Sequence, residues 1–174
     1  DESFEKIALD YESLAIDLQE LVGASNPIRT IDCFDISHFQ SSYIVGSCIR
    51  FTNGKPVKNK FRKFKIKTLL EQDDYAALHE IVKRRYKTTL EDAPDLIVID
   101  GGKGQRNAVL PFVHPIPCVS IAKKEELLFT NHHPNGTHLD VKTKIGKLLI
   151  ELRDYTHHFA ISYHRTLRNK HFLR

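Results

Sequence analysis

The chain has 174 residues, 41% of them hydrophobic, which is about the size of one ordinary domain with a single sizeable core. No run of about eighteen apolar residues occurs, and the opening DESFEKIALDYE is acidic and amphipathic, so the sequence reads as neither a membrane span nor a secretory leader. The net charge of +4 is unevenly spread: seven Lys or Arg and no acid lie between Lys55 and Lys67, and Arg165, Arg168, Lys170 and Arg174 form a second cluster, a distribution that suits a polyanionic partner or a solvated face.

Phe4, Ile7, Tyr11, Leu14, Leu18 and Leu21 recur at three- and four-residue steps, which predicts an amphipathic lead-in helix ending near Gly23 and Pro27. Residues 1–28 are read as this helix and its linker, and 29–174 as the main domain. Three strand-like runs follow, RTIDCFDISHF, SYIVGSCIRFTN and VKNKFRKFKIK. Asn53-Gly54 between the last two is a hairpin signal, so antiparallel pairing is expected there. In the third run Phe64 and Ile66 alternate with Lys63, Lys65 and Lys67, one face toward a core and the other outward.

Residues 73–87 place Tyr75, Leu78, Ile81, Val82 and Tyr86 on one helical stripe, with Asp73 as the expected N-cap and Asp74 in the first turn. LIVID (96–100) is a continuous apolar run, the pattern of a parallel strand covered on both faces, and Gln105–Leu110 starts another helix. PIPCVSIA predicts a further buried strand, and KKEELLFTNHHPNGTHLDV a hairpin excursion or exposed loop. Ile145, Leu149, Leu152, Thr156, Phe159, Tyr163 and Leu167 then mark a long final helix. Cys33, Cys48 and Cys118 are odd in number, widely spaced and set in apolar contexts, which favours reduced core thiols and a cytoplasmic compartment.

Three antiparallel strands followed by alternating helix and strand predict an α/β fold with a mixed five-stranded sheet, the fourth strand beside the first, flanked by helices. That order brings Asp35 and Asp100 together at the carboxyl edge, where ligand sites form in α/β sheets. Taken singly, Asp35 reads as a strand-end residue bonded to a turn amide, and Asp100 as an N-cap before Gly101-Gly102. Taken together, two facing carboxylates repel and call for a cation; an all-oxygen pair suits Mg²⁺ or Mn²⁺ better than zinc. His157 falls on the same helical flank as Arg153 and His164, where it borders that edge as a metal ligand, a proton carrier or a plain surface histidine. Gly101-Gly102-Lys103-Gly104 matches neither the Walker nor the dinucleotide pattern; it is a tight strand-to-helix turn or a place where backbone approaches a phosphodiester.

CFDISH (33–38), DDYAAL (73–78) with RRY (84–86), LIVIDGGKGQ (96–105), IAK (121–123) and RDYTHHFAISYHR (153–165) together resemble the C-terminal endonuclease domain of the UvrC family, the incision subunit of bacterial nucleotide excision repair. The resemblance runs in order from about residue 29 to 170. It implies an RNase H-like fold and a divalent-metal-dependent DNA endonuclease that makes the 5′ incision in damaged double-stranded DNA. It also implies a UvrB–DNA complex, with UvrA upstream, as the setting of the full-length protein, and no membrane.

Matched motif by motif, the family's catalytic acids fall on Asp35 and Asp100, its histidine on His157, and a secondary acid on Asp74. Asp35, Asp100 and His157 are the implied metal site for Mg²⁺ or Mn²⁺; Lys103, Lys123, Arg153 and Arg165 are the implied phosphate contacts. Ser41 stands where the family commonly has glycine, and Tyr155 where it has glutamate before the histidine. The family's GIY-YIG nuclease, UvrB-binding segment and helix-hairpin-helix repeats have no match in these residues, so the chain is expected to be an excised domain or a shortened relative. The rival expectations are a ribonuclease or junction resolvase on the same fold, or a catalytically silent DNA- or protein-binding module.

Overall fold

A computed structural model describes residues 2–39, 43–67, 74–86 and 92–172, with side chains over 11–38, 44–66, 74–86 and 92–162. In chain order the elements are α1 (Glu2–Val22), β1 (Thr30–Phe39), β2 (Tyr43–Thr52), β3 (Lys55–Pro56), β4 (Arg62–Lys67), α2 (Asp74–Arg85) and β5 (Leu96–Asp100). They are followed by α3 (Lys103–Val113), β6 (Cys118–Ala122), β7 (Leu127–Phe129), β8 (Thr137–His138) and α4 (Lys144–Phe172). The strands form one sheet in the order β3-β2-β1-β5-β6-β7-β8, with β4 also paired to β2.

β1 runs antiparallel to β2 and parallel to β5, and β5 is parallel to β6, so the predicted mixed sheet and the neighbour relation of the first and fourth strands both hold. Among the described residues the sheet has eight strands rather than five, for two reasons. Of the run 57–67 only Arg62–Lys67 is strand, because a short 3₁₀ turn, Lys58–Lys60, separates it from Lys55–Pro56, so β3 and β4 pair separately with opposite ends of β2. The excursion after β6 returns on itself and adds β7 and β8 as antiparallel edge strands. Asn53 (φ 51°) and Gly54 (φ 80°) both sit in the left-handed region, the geometry that Asn-Gly supplies to a tight hairpin.

Side-chain alternation divides the strands between two cores. Ile31 and Cys33 of β1, with Leu96 and Val98 of β5, pack against Ala15 and Leu18 of α1 and Leu149 and Leu152 of α4. Phe34, Ile97 and Ile99 point the other way, against Leu78, Ile81 and Val82 of α2 and Val109 and Val113 of α3. By the same alternation Asp35 and Asp100 belong to the α4 face, and Asp32 to the α2 face. From Tyr11 onward helix α1 is part of its core: Ala15 and Leu18 are completely buried, and the Tyr11 hydroxyl donates to the Ile28 carbonyl at 3.0 Å.

On α2 the buried stripe is Ala77, Leu78, Ile81 and Val82. Tyr75, expected on it, is half exposed, because its ring lies along Gly104 at the start of α3 instead of turning into the core. The expected cap Asp73 and the departure at Ser41 lie outside the described residues, as do the side chains of Arg165, Arg168 and Lys170. The three cysteines are buried free thiols, and burial pushes the Cys118 thiol up to about 12. Among the described residues no helix is long and apolar enough to cross a membrane.

The close fit of α2 on the sheet has a measurable consequence. A Cβ at Gly46, in the middle of β2, would fall inside the Ile81 side chain. Gly46→Ala is expected to destabilise by about 1–3 kcal/mol through overpacking, seen as a lower denaturant midpoint. An unchanged midpoint would mean that α2 moves off the sheet without penalty.

Candidate active site

The parallel register pairs Phe34 with Ile99, which leaves Asp35 and Asp100 side by side one residue further on. β1 continues past this point to Phe39, whereas β5 ends at Asp100 and turns at once through Gly101-Gly102 into α3. The turn is closed by polar contacts that leave Asp100 out. The Gly102 amide donates to Gln105 Oε1 at 3.0 Å, and the Ser120 hydroxyl donates to the Gly102 carbonyl at 3.0 Å. The helix N-cap is therefore Gly102, and the carboxylate of Asp100 is available for something else.

Both carboxyls are shifted toward the neutral form. Burial first, then the charge of Asp100 and a hydrogen bond with it, raise Asp35 to about 7. Asp100 is also raised, by burial, against the opposing pull of Arg153, Asp35, His157 and Lys123. Both shifts disfavour two negative charges side by side at this point of the sheet.

His157 reaches the pair from α4, its Nδ1 3.7 Å from Asp35 Oδ2 and its side chain about half exposed at the rim. Asp35 Oδ2 is buried without a hydrogen-bond partner, and so is the hydroxyl of Ser47, which the antiparallel register sets directly opposite Asp35 on β2. A buried, unsatisfied carboxylate oxygen beside a second, half-buried carboxyl is what a hard divalent cation would relieve, and the oxygen donors fit Mg²⁺ or Mn²⁺. Among the described residues, however, no three His, Cys, Asp or Glu side chains stand close enough to ligate one ion. The two aspartates form the donor set that stands together. His157 does not complete it in this arrangement, because α4 carries the imidazole at the solvent edge of the pocket.

The implied basic contacts separate by burial. Lys123, just beyond β6, is exposed and acts electrostatically on both carboxyls. Arg153 is only 8% exposed: its Nη1 donates to Glu126 Oε2 at 2.5 Å and its Nη2 to Oε1 at 3.3 Å. Its charge therefore acts on Asp100 from within the protein, where an incoming phosphate is screened from it by Glu126. Lys103 Nζ donates to Asn135 Oδ1 at 2.8 Å, tying the start of α3 to the β7–β8 loop.

Asp74 stands apart from the carboxylate pair. It faces His38 Nε2 at 2.9 Å, and His38 alternates onto the sheet face opposite to Asp35. The pair ties the N-terminus of α2 to the end of β1.

Sequence reasoning missed Glu126, which holds Arg153 in place. Glu125 (φ 64°) and Glu126 (φ 48°) both lie in the left-handed region, which costs about 1–2 kcal/mol for each such residue. Nothing in the string KKEEL announces that conformation, since neither residue is the Gly or Asn that usually adopts it. Ser47 was missed as well, for its only signal is the strand register.

The UvrC RNAse H endonuclease domain model matches residues 19–161. UvrABC system protein C of Chlorobium chlorochromatii (strain CaD3) is 44% identical over 159 residues, covering 87% of this chain and 25% of that protein. UvrABC system protein C of Methanococcus maripaludis is 43% identical over 151 residues, covering 83% of this chain and 29% of that protein. The chain thus spans about a quarter of the length of the curated relatives it matches. Among solved structures, the catalytic domain of human Endonuclease V aligns over 75% of this chain and 65% of that one, at 15% identity and a TM-score of 0.44.

Proposed function

The chain belongs to the UvrC RNAse H endonuclease domain family, and from that premise we propose that it hydrolyses a phosphodiester of damaged double-stranded DNA, making the 5′ incision of nucleotide excision repair on a UvrB–DNA complex prepared by UvrA. The observation that carries this reading is the pair Asp35 and Asp100: a buried and a half-buried carboxyl side by side, one oxygen of Asp35 unsatisfied, at the carboxyl edge of parallel strands. Held by these two side chains, Mg²⁺ or Mn²⁺ would polarise a phosphate oxygen and acidify a water.

The protein's own groups supply the rest. Ionised, Asp35 and Asp100 would form a dianionic donor set, and Lys123 and Arg153 keep that charge tolerable from outside and inside the fold. His157, at the rim and half exposed, is placed to take a proton from the attacking water or return one to the leaving oxygen. Lys123 and Lys103, both exposed on the carboxyl side of the sheet, and Arg165 on α4 are the proposed contacts to phosphates of the bound strand. Asp74 acts at a distance, through His38 and the α2 N-terminus.

The deciding experiment titrates Mn²⁺ into the metal-free protein by calorimetry and then assays nicking of lesion-bearing duplex with UvrB. Binding that disappears in Asp100→Ala, together with its nicking, is the expected result; a fully active Asp100→Ala protein would refute the assignment. Substrates of RNA–DNA hybrid and four-way junction, run alongside, test the two other nuclease classes. His157→Ala should lower nicking by about 10²–10⁴-fold and leave the melting temperature unchanged, because the side chain is about half exposed and buries little. A melting temperature that falls together with activity would reassign His157 to structure.

A further inference from the structure

A groove of about 750 Å³ runs between β4 and α4 on the same sheet face as the carboxylates. Asp35 pairs with Ser47 on β2, and Ser47 with Lys63 on β4, so two strand spacings, about 10 Å, separate the backbones of Asp35 and Lys63. Helix α4 continues the same line, with His157 at the carboxylates and Phe159 in the groove. One side is cationic, formed by Lys58, Arg62 and Lys63, and among the described residues no acidic side chain lines the groove.

The floor is aromatic. Phe61 meets Tyr155 edge-on at 5.8 Å and Phe159 at 5.2 Å, and the Lys63 ammonium lies 4.5 Å from the centre of the Phe159 ring. The guanidinium of Arg62 is held at the lip by the carbonyls of Asn59 and Phe61.

Cations alone would suit the outer backbone of a duplex. Aromatic rings beneath those cations suit something else, since the bases of a duplex are stacked on one another and cannot reach a ring-lined floor. We propose that this groove binds single-stranded nucleic acid: an unpaired stretch next to the scissile phosphate, its bases against Phe61 and Phe159 and its phosphates toward Lys58 and Arg62. The proposal rests on the reading that the carboxylate pair cleaves a phosphodiester, and it names the form of substrate that enters. The charge of the groove selects this occupant over a basic or neutral peptide, and the apolar floor selects it over a purely acidic one.

The test is fluorescence anisotropy with the 174-residue chain in EDTA, so that binding is read without cleavage. An oligothymidylate of about fifteen nucleotides should bind at least ~10-fold tighter than a duplex of equal length. Lys58→Glu/Arg62→Glu, both at exposed positions, should weaken that binding ~10-fold or more and make the salt dependence shallower by about 1.4 log units per log unit of salt, the slope lost with two single-strand phosphate contacts. Photo-crosslinking of 5-iodouracil-substituted oligonucleotide should map to Phe61, Tyr155 or Phe159, a readout that needs no variant to fold.

Equal or tighter duplex binding, a double variant that binds like the parent, or crosslinks confined to the α2–α3 face would each overturn the proposal. Displacement by polyglutamate as effectively as by unlabelled oligonucleotide would do so too, reducing the groove to a charged patch. Asp100→Ala separates the two claims: it should bind single strands like the parent while failing to nick. A parent protein that binds as expected but never nicks leaves the groove standing and removes the catalytic reading.

Discussion

Asp35→Asn is expected to abolish nicking and, at the same time, to raise the stability of the metal-free protein. Loss of one of two proposed ion-holding carboxylates removes several kcal/mol of transition-state stabilisation, or about 10³-fold in rate and beyond. The gain in stability follows from the ionisation of the same group. Burial and the neighbouring Asp100 raise Asp35 from an ordinary carboxyl to about 7, so between about pH 4 and pH 7 the folded state holds a proton that the unfolded chain releases.

The sign is fixed by that difference. The stabilising contribution of protonated Asp35 is complete below about pH 4, the unfolded value, and is lost as the pH rises through about 7. A shift of this size corresponds to at most about 4 kcal/mol, part of it shared with Asp100. Asparagine at position 35 stays neutral, so at pH 8 the variant should melt several degrees above the parent, and the difference should vanish near pH 4. Saturating Mn²⁺ should stabilise the parent and leave the variant unmoved. A variant that melts at or below the parent temperature at pH 8 would show that the two carboxyls do not repel as described, and would remove the main physical reason for a cation between them.

Three residues earlier on the same strand, a carboxylate has the opposite fate. Asp32 is fully buried on the α2 face, where Arg50 donates to both its oxygens at 2.7 and 3.0 Å and the Tyr86 hydroxyl donates at 2.6 Å. Arg50 in turn reaches the side chain and carbonyl of Asp92, which Lys60 also meets at 3.3 Å.

Arg50→Met keeps much of the volume but strips Asp32 of its two strongest donors, leaving Arg85 at 3.9 Å as the nearest cation. Removing one member of a buried pair costs about 3–5 kcal/mol, a fall on the order of 10 °C in melting temperature for a chain of this length. The companion Asp32→Asn/Arg50→Met should recover part of the loss, since the uncompensated charge goes with its partner. Strictly additive losses, or a single-variant loss under about 1 kcal/mol, would show that the pair is solvated in solution. Nicking by Arg50→Met, assayed well below its melting temperature, should survive, because the network lies across the sheet from the active-site pair.

The contrast between Asp32 and Asp35 shows what can be read from residues in order. Helical periodicity, the Asn53-Gly54 turn and the apolar run 96–100 were enough to order the strands and bring Asp35 beside Asp100, whereas Asp32 carried no reading of its own until the strand register set it against Arg50. The placement of His157 near them followed from the pitch of α4 once that helix was laid over the same face.

These features were legible because each depends on contacts within a few residues or on a topology that admits few alternatives. The broken third strand and the two edge strands β7 and β8 were not, because short strands are made by pairing partners rather than by their own composition. Tyr75 left its predicted stripe because Gly104, about thirty residues away in sequence, offered its ring a place outside the core.

The sequence by itself determined which residues make up the candidate site: two acids on adjacent strands, a histidine on the covering helix, and the motifs that tie them to one nuclease family. Only the tertiary structure decided how those groups stand toward each other. It turned Arg153 inward onto Glu126, sent Asp74 to His38 on the other face, left one oxygen of Asp35 unsatisfied, and laid an aromatic, basic groove beside the pair. The physical reason is that residue type and period are local properties, whereas burial, charge partners and the protonation they impose arise from segments distant in the chain, and exist only once the chain has packed.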